Sequence, residues 1–315
     1  MKKTQKILIA GFGDIGERVA RKLHDSRHYR VMALVRKTSG KSRHRKFAAS
    51  PGVQLVRGDL NERRSLQKLT GLADTILHFA PPPGAGKSDT HTEHLLAALS
   101  GVHRPSAIQR KMLPRRIVYI STTGVYGNCH GEWIDETRQL KPESARAKRR
   151  VDAERRLQKW GRLHDVSITI LRAPGIYAED RLPLERLQRQ TPVLMAAEDV
   201  FTNHIHADDL AAAACNAMRQ QHPKRYRVFN VVDDSQLRMG DYMDAVADAF
   251  GVKRPPRISR EVAEGLIAPM LLSFMRESRR ISNARVKREL KLVLKYPTLA
   301  NVLSALQRKI PTSQG

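Results

Sequence analysis

The chain has 315 residues, 41% of them hydrophobic, and a formal net charge of +26. That apolar fraction is enough for a core and excludes a disordered chain, while no apolar stretch is long enough to span a membrane. Two cysteines, Cys129 and Cys215, give neither a disulfide framework nor metal-ligand spacing, so a reducing, cytoplasmic setting and no bound metal are expected.

In chain order, the first element is a buried strand over 6–10. Lys2-Lys3 ahead of Ile7-Leu8-Ile9-Ala10 has the outline of a leader, but the apolar run is short and Asp14, Glu17 and Arg18 follow at once. Further strands are expected over 30–35, 53–57, 75–79, 116–120 and 167–171. Amphipathic helical stretches over 15–26, 65–69, 92–99 and 144–160 separate them. Continuous apolar strands alternating with helices predict an α/β fold with a doubly wound, Rossmann-type parallel sheet. After Pro174 the pattern changes. A strand over 201–206, a helix over 208–218, a strand over 227–232, a helix over 240–250 and an apolar core or interface helix over 265–275 are expected. The expected division is a nucleotide-binding domain over 1–175 and a smaller, partly interleaved substrate lobe over 176–315.

The strongest motif is Gly11-Phe12-Gly13-Asp14-Ile15-Gly16, placed between the first strand and the first helix. In such a turn the first glycine allows the tight bend, the second lets the backbone approach a pyrophosphate, and the third lets helix pack closely on strand. The phosphates of a dinucleotide would rest on the helix N-terminus. Asp14 is awkward beside a phosphate unless its carboxylate points elsewhere. About twenty residues on, where NAD binders place an acid for the ribose 2′-hydroxyl, stand Arg36 and Lys37. A guanidinium pairs with a 2′-phosphate, so NADP(H) is preferred over NAD(H), with NAD(H) as the remaining option; alternatively Arg36 is part of a solvated basic loop.

Basic residues concentrate in two places. Arg36, Lys37, Lys41, Arg43, Arg45 and Lys46 lie together with no acid among them, and residues 251–315 hold 14 Lys/Arg against 4 Asp/Glu. Such charge attracts polyanions, but no recognised nucleic-acid module focuses it, and specific nucleic-acid binding is not expected.

Further motifs follow in order: Gly58-Asp59-Leu60, His78-Phe79-Ala80-Pro81, Ser121-Thr122-Thr123-Gly124-Val125-Tyr126-Gly127, Leu171-Arg172-Ala173-Pro174-Gly175-Ile176-Tyr177 and His204-Ile205-His206-Ala207-Asp208-Asp209. Over roughly residues 5–235 the chain resembles the extended and atypical short-chain dehydrogenase/reductases, in the nucleoside-diphosphate-sugar epimerase and dehydratase branch. The resemblance implies that Asp59 and Leu60 meet the adenine, and that Phe79, Ala80, Pro81 and Ser121 line the cofactor. It implies that Thr122 hydrogen-bonds a substrate oxygen and that Tyr177 and His206 border the reacting centre. It also implies homodimers through the helices near Thr92 and Ser144, although the second helix is strongly basic. Asp208 and Asp209 also read as helix N-caps.

One departure stands out. The family's proton transfer rests on Tyr-x-x-x-Lys, one helical turn apart. Counting back from Glu154 places Arg146 and Arg150 at those two positions, and no tyrosine lies between Tyr126 and Tyr177. Arginine stays protonated, so the pair suits an anionic substrate group better than proton transfer. A solvated basic helix is the competing reading. Tyr126, Tyr177, His204 and His206 are the remaining proton carriers, while His91 and His94 are too few for a metal site. The expected function is an NADP(H)-dependent oxidoreductase or epimerase acting on a sugar nucleotide or a small anionic carbonyl compound. The alternative is a non-catalytic NADP(H)-binding sensor or scaffold.

Overall fold

The computed structural model describes residues 4–24, 26–36, 52–101, 112–220, 222 and 225–308. Seven strands form an all-parallel central sheet: β1 (Gln5–Ala10), β2 (Tyr29–Val35), β3 (Gln54–Arg57), β4 (Thr75–His78), β5 (Arg116–Thr122), β7 (Ser167–Ala173) and β11 (Tyr226–Asn230). Three two-stranded parallel pairs lie outside it. They join β6 (Trp133–Ile134) to β13 (Arg280–Ile281), β8 (Gly175–Tyr177) to β10 (His204–His206), and β9 (Val193–Leu194) to β12 (Arg257–Ile258). The spatial order is β3-β2-β1-β4-β5-β7-β11, so the winding reverses between β1 and β4. Ligands of such sheets bind in the crevice beyond the strands' carboxyl ends at that reversal.

Helices cover both faces, which is why Ile7, Leu8 and Ile9 are all fully buried and the strand shows no polar alternation. On one face α1 (Asp14–His24) packs with α5 (Ala207–Arg219) and α9 (Ala284–Leu290) through Val19, Leu23, Leu210 and Val286. On the other, α2 (Thr90–Ser100) and α3 (Ala145–His164) pack through Leu95, Leu99, Leu157 and Trp160. A separate core forms where α4 (Leu184–Gln188), α6 (Met239–Ala249) and α10 (Leu299–Gln307) meet around Leu187, Val246 and Val302. The chain after Tyr177 therefore builds its own core and also returns to the sheet, supplying β11 as an edge strand and α5 as a cover.

The expected strands through Ala173 match the observed ones to within two residues at each end. Three expectations change. The helix over 65–69 is a 3-10 segment, Arg63–Leu69. The strand over 201–206 begins only at His204, with Phe201 making an isolated bridge to Arg238. The single helix over 265–275 is two short ones, α7 (Arg260–Leu266) and α8 (Pro269–Phe274), because Pro269 cannot continue a helix and starts a new one instead.

Candidate functional site

The three glycines of the turn have three different surroundings. Gly11 has φ +101, and a Cβ there would collide with the backbone of Phe79 and Ala80, whose amides both donate to Ala10 O. The bend is thus pressed against the end of β4 and admits only glycine. A Cβ at Gly16 would lie 3.1 Å from Gly11 O and 3.3 Å from Ile9 Cγ2, so α1 sits directly on β1. A Cβ at Gly13 would meet nothing within 4 Å. This residue faces open space at the N-terminus of α1, where the first amides lack helical partners. Phe12 and Ile15 point the other way into the core.

Asp14 opens α1, and its carboxylate is held at 3.0 Å by both Arg18 and Arg181. Arg18 also donates to Asp208 at 2.6 Å, tying α1 to the first turn of α5. The acid that looked awkward beside a phosphate is therefore flanked by two guanidinium groups.

Next to the turn, Arg36 follows β2 and is exposed, with no carboxylate partner among the described residues; Lys37 and the rest of that basic run lie outside them. Asp59 Oδ1 accepts from the backbone and side-chain amides of Asn61 at 2.9 and 3.0 Å, so this carboxylate shapes a turn. Leu60 buries its side chain in the sheet core, and its carbonyl lies 2.7 Å from His94 Nδ1. Pro81 is exposed, and its carbonyl lies 2.8 Å from His91 Nδ1. His91 Nε2 reaches Asn61 Oδ1 at 2.9 Å, which links the two loops that flank the groove. Below them His78 is fully buried against Thr92 at 2.8 Å, and burial pushes its pKa down to about 4.

Thr122 ends β5 beside Ala173 of β7. Its hydroxyl accepts the Gly124 amide at 3.2 Å, which leaves the hydroxyl proton free to donate. Ser121, one residue earlier, points into the protein and donates to Glu154 at 2.5 Å. Glu154 is paired at 2.7 Å with Arg172, which donates to Tyr126 Oη at 2.8 Å; Tyr126 donates to Asn230 at 2.7 Å. This buried chain ties β5, α3, β7 and β11 together beneath the crevice. The sequence signal for it was a charged residue, Arg172, inside an otherwise apolar strand.

The two arginines at the Tyr-x-x-x-Lys positions differ in their contacts. Arg150 turns inward and donates to Ile120 O at 2.8 Å and Tyr119 Oη at 2.9 Å. Arg146 is exposed, with its guanidinium 4.5 Å from the ring centroid of Phe274 in α8. Between them Arg149 is buried and donates to the carbonyls of Gly86 and Gly84 at 2.7 and 3.3 Å.

The remaining proton carriers are mostly committed. His206 is fully buried, and its Nδ1 accepts the Asp208 amide at 3.2 Å as the N-cap of α5. Its Nε2 faces Glu179 at 3.5 Å, and burial lowers its pKa. The cap of α5 is thus His206, not Asp208 or Asp209. Asp209 instead accepts the amides of Lys295 and Tyr296 at 2.8 and 3.0 Å. His204 stacks on Tyr242 at 4.0 Å and is pushed down to about 4 by burial. Tyr177 is buried and donates to Asp233 at 3.1 Å; burial and the nearby carboxylate hold its pKa far above the ordinary value.

Asp233 went unnoticed in the sequence, although two carboxylates directly after a strand were a signal. It is 4% exposed, and burial pushes its pKa up to about 7 despite hydrogen bonds from Ser235 N and Tyr177. It borders a cavity of about 210 Å³ together with Trp133, Phe201, Asn203, Arg280 and Asn283. Among the described residues no cluster of three His, Cys, Asp or Glu side chains could hold a metal, and no helix is long and apolar enough to cross a membrane.

Comparison with known proteins places this architecture. The dTDP-glucose 4,6-dehydratase of Streptomyces antibioticus is 22% identical over 219 residues, covering 64% of this chain and 62% of the dehydratase, so the match spans under two thirds of that relative. The solved structure of a conserved protein of unknown function from Silicibacter pomeroyi DSS is 26% identical, covers 98% of this chain and 100% of its own, and superposes with a TM-score of 0.75. The UDP-glucuronic acid 4-epimerase of Bacillus cereus, solved with NAD, shares the fold at a TM-score of 0.73 and 17% identity, over 95% of this chain and 96% of its own. The profile of the NAD dependent epimerase/dehydratase family matches residues 7–231, and the chain belongs to that family.

Proposed function

We propose that the protein is an NAD(P)-dependent oxidoreductase or epimerase that binds its dinucleotide along the carboxyl edge of β1, β4 and β5. The observation that carries this is the open side of Gly13 between two packed glycines, a space a Cβ would enter at the end of a helix. When bound, the nicotinamide gives or takes a hydride. The chain's residues do the rest. Amides at the start of α1 receive the pyrophosphate, while Arg18 and Arg181 neutralise Asp14 nearby. Asp59, through its turn, together with the 79–81 loop borders the adenosine end. The free hydroxyl proton of Thr122 orients a substrate oxygen.

Arg36 supports NADP(H) as the preferred cofactor, since it is an exposed guanidinium at the end of β2 without a carboxylate partner among the described residues. Titration of the full chain with NADPH and NADH should give tighter binding of NADPH. Arg36→Asp should reverse the order, because a carboxylate repels a 2′-phosphate and accepts from a 2′-hydroxyl. Equal affinities in the wild type would end the preference. Failure of both cofactors to bind would end the reading itself.

Two of the proteins named above, the dTDP-glucose dehydratase and the UDP-glucuronic acid epimerase, act on nucleotide sugars by their names, so turnover is best sought across nucleotide sugars and small anionic carbonyl compounds, with Thr122→Ala as the control. A second reading, a non-catalytic NADP(H) sensor or scaffold, is favoured by one observation: Arg150 spends its guanidinium on the β5 backbone and Tyr119. Tight NADPH binding with no turnover on either panel would select it.

A further inference from the structure

The cavity beside Asp233 lies at the carboxyl end of β11, on the same edge of the sheet as the glycine turn and Thr122. Its charges leave a remainder. Arg279 is taken up by Glu277 at 2.7 Å and by Gly127 O at 2.7 Å. Asp234 is taken up by Lys287 at 2.5 Å and by Asn283 at 2.8 Å. Asp233 keeps its proton up to about pH 7 because it is buried. Arg280 is different. Its Nε donates to Gly131 O at 2.8 Å, but the guanidinium has no carboxylate partner among the described residues. The rings of Trp133 and Phe201 lie 5.4 and 5.0 Å from it. Aromatic faces hold a guanidinium in place and shield it from water, which strengthens its bond to a planar oxyanion.

Size and hydrogen-bonding groups narrow the ligand. About 210 Å³ is below the range of roughly 300–1,000 Å³ typical of pockets for drug-sized ligands, and nucleotide sugars are larger still. The hydroxyls of Ser235 and Ser282 accept amides from Leu299 and Ala284, so each retains a proton to donate into the cavity. Asn203 donates its amide to Arg279 O and keeps its carbonyl oxygen as an acceptor. A guanidinium with no carboxylate partner among the described residues, set among hydroxyl and amide donors and acceptors, fits a single negative charge next to an alcohol or carbonyl.

We propose that this cavity is the substrate subsite, and that it takes a small monocarboxylate bearing a hydroxyl or carbonyl group, gripped at its carboxylate by Arg280. This rests on the oxidoreductase reading above. It also moves the anion site away from Arg150, whose guanidinium is held by Ile120 O and Tyr119 Oη, and from Arg146, which lies outside the cavity lining.

The test uses ligand-observed NMR or calorimetry on the full chain. The probes are lactate, glycerate, pyruvate and gluconate, each beside its neutral amide, with UDP-glucose for comparison. At least one acid should bind saturably and its amide at least ten-fold more weakly. Arg280→Ala should cost at least ten-fold in affinity and Arg280→Lys less, while Arg254→Ala, at a surface ion pair, should cost nothing. The acid–amide comparison on the wild type keeps the test decisive if the alanine variant does not fold. No acid binding, equal binding of acid and amide, binding indifferent to both Arg280 variants, or binding of UDP-glucose alone would each overturn the proposal. Titration of the same samples with NADPH and NADH separates the two readings. Acid binding with neither dinucleotide bound refutes the oxidoreductase and reduces the cavity to an acid-binding site that is no substrate subsite. Dinucleotide binding without acid binding refutes the subsite and keeps the oxidoreductase.

Discussion

Burial delays the ionisation of Asp233 to about pH 7, and folding stability should register this. The folded state holds the proton up to about pH 7, whereas an unfolded aspartate releases it near 4. Between those values the unfolded chain sheds a proton that the folded chain keeps, so stability from this group falls as pH rises from about 4 to 7 and is level above. Asp233→Asn removes that slope. Chemical denaturation across this window should show the variant gaining on the wild type up to about pH 7 and no further. Parallel profiles would mean that the carboxyl ionises normally. At the same scale, Tyr177 can donate a hydrogen bond but is held back from becoming a tyrosinate, and His206 is occupied as a helix cap. Sequence alone could single out these side chains. Their availability could not be read from it, because that depends on partners distant in the chain: Asp233 for Tyr177, Glu179 for His206, Ile120 for Arg150.

Elements were legible where the local pattern and the tertiary environment agree. Strands buried on both faces are short, apolar and bounded by turns, so β1, β2, β4 and β5 stand out. The glycine turn is as clear, because each glycine answers a separate steric demand. Legibility fails where the outcome depends on the packing of short pieces. The pairs β6–β13, β8–β10 and β9–β12 each join distant segments of two or three residues, too short for any periodicity. The β6–β13 pair also supplies Trp133, Arg280 and Ile281 to the cavity wall, which is why the Asp233–Arg280 cavity could not be read from the sequence. Helix α3 gives a test at this scale. Its N-cap is Ser144, whose hydroxyl accepts the Ala147 amide at 3.2 Å. Ser144→Ala should destabilise the protein by about 1 kcal/mol. Arg149 and Arg150 lie in the turns just beyond the cap, so fraying there should also loosen their hold on the carbonyls of Gly84, Gly86 and Ile120. Unchanged denaturation midpoints would show that tertiary contacts alone hold this end.

For the whole molecule, the buried histidines set the acid limit. His78 and His204 are both held near 4, against about 6.5 when exposed. As pH falls from 6.5 to 4 the unfolded chain takes up protons that the folded chain refuses, so stability contributed above 6.5 is lost across that range. The lowered pKa of His206 adds to this trend, and the raised pKa of Asp233 opposes it. His78→Gln, which can keep a hydrogen bond to Thr92, should flatten the acid limb by about one proton. An unchanged limb would place the loss elsewhere. The large positive charge adds self-repulsion that grows as carboxylates protonate, so salt should extend the stable range at low pH.

The late arrival of β11 also has a consequence for synthesis. During translation β7 is complete well before residues 226–230 leave the ribosome, and until then it is a bare parallel edge with its backbone amides and carbonyls unpaired. The same delay affects the glycine turn, whose Asp14 and Arg18 find partners in Arg181 and Asp208. A nascent chain halted near residue 175 would therefore carry a nearly finished sheet with one sticky flank and a glycine turn whose Asp14 and Arg18 lack their distant partners. Closure of the sheet should accordingly wait until β11 has emerged, with the interval between β7 and β11 as the period of greatest exposure to aggregation and to chaperones.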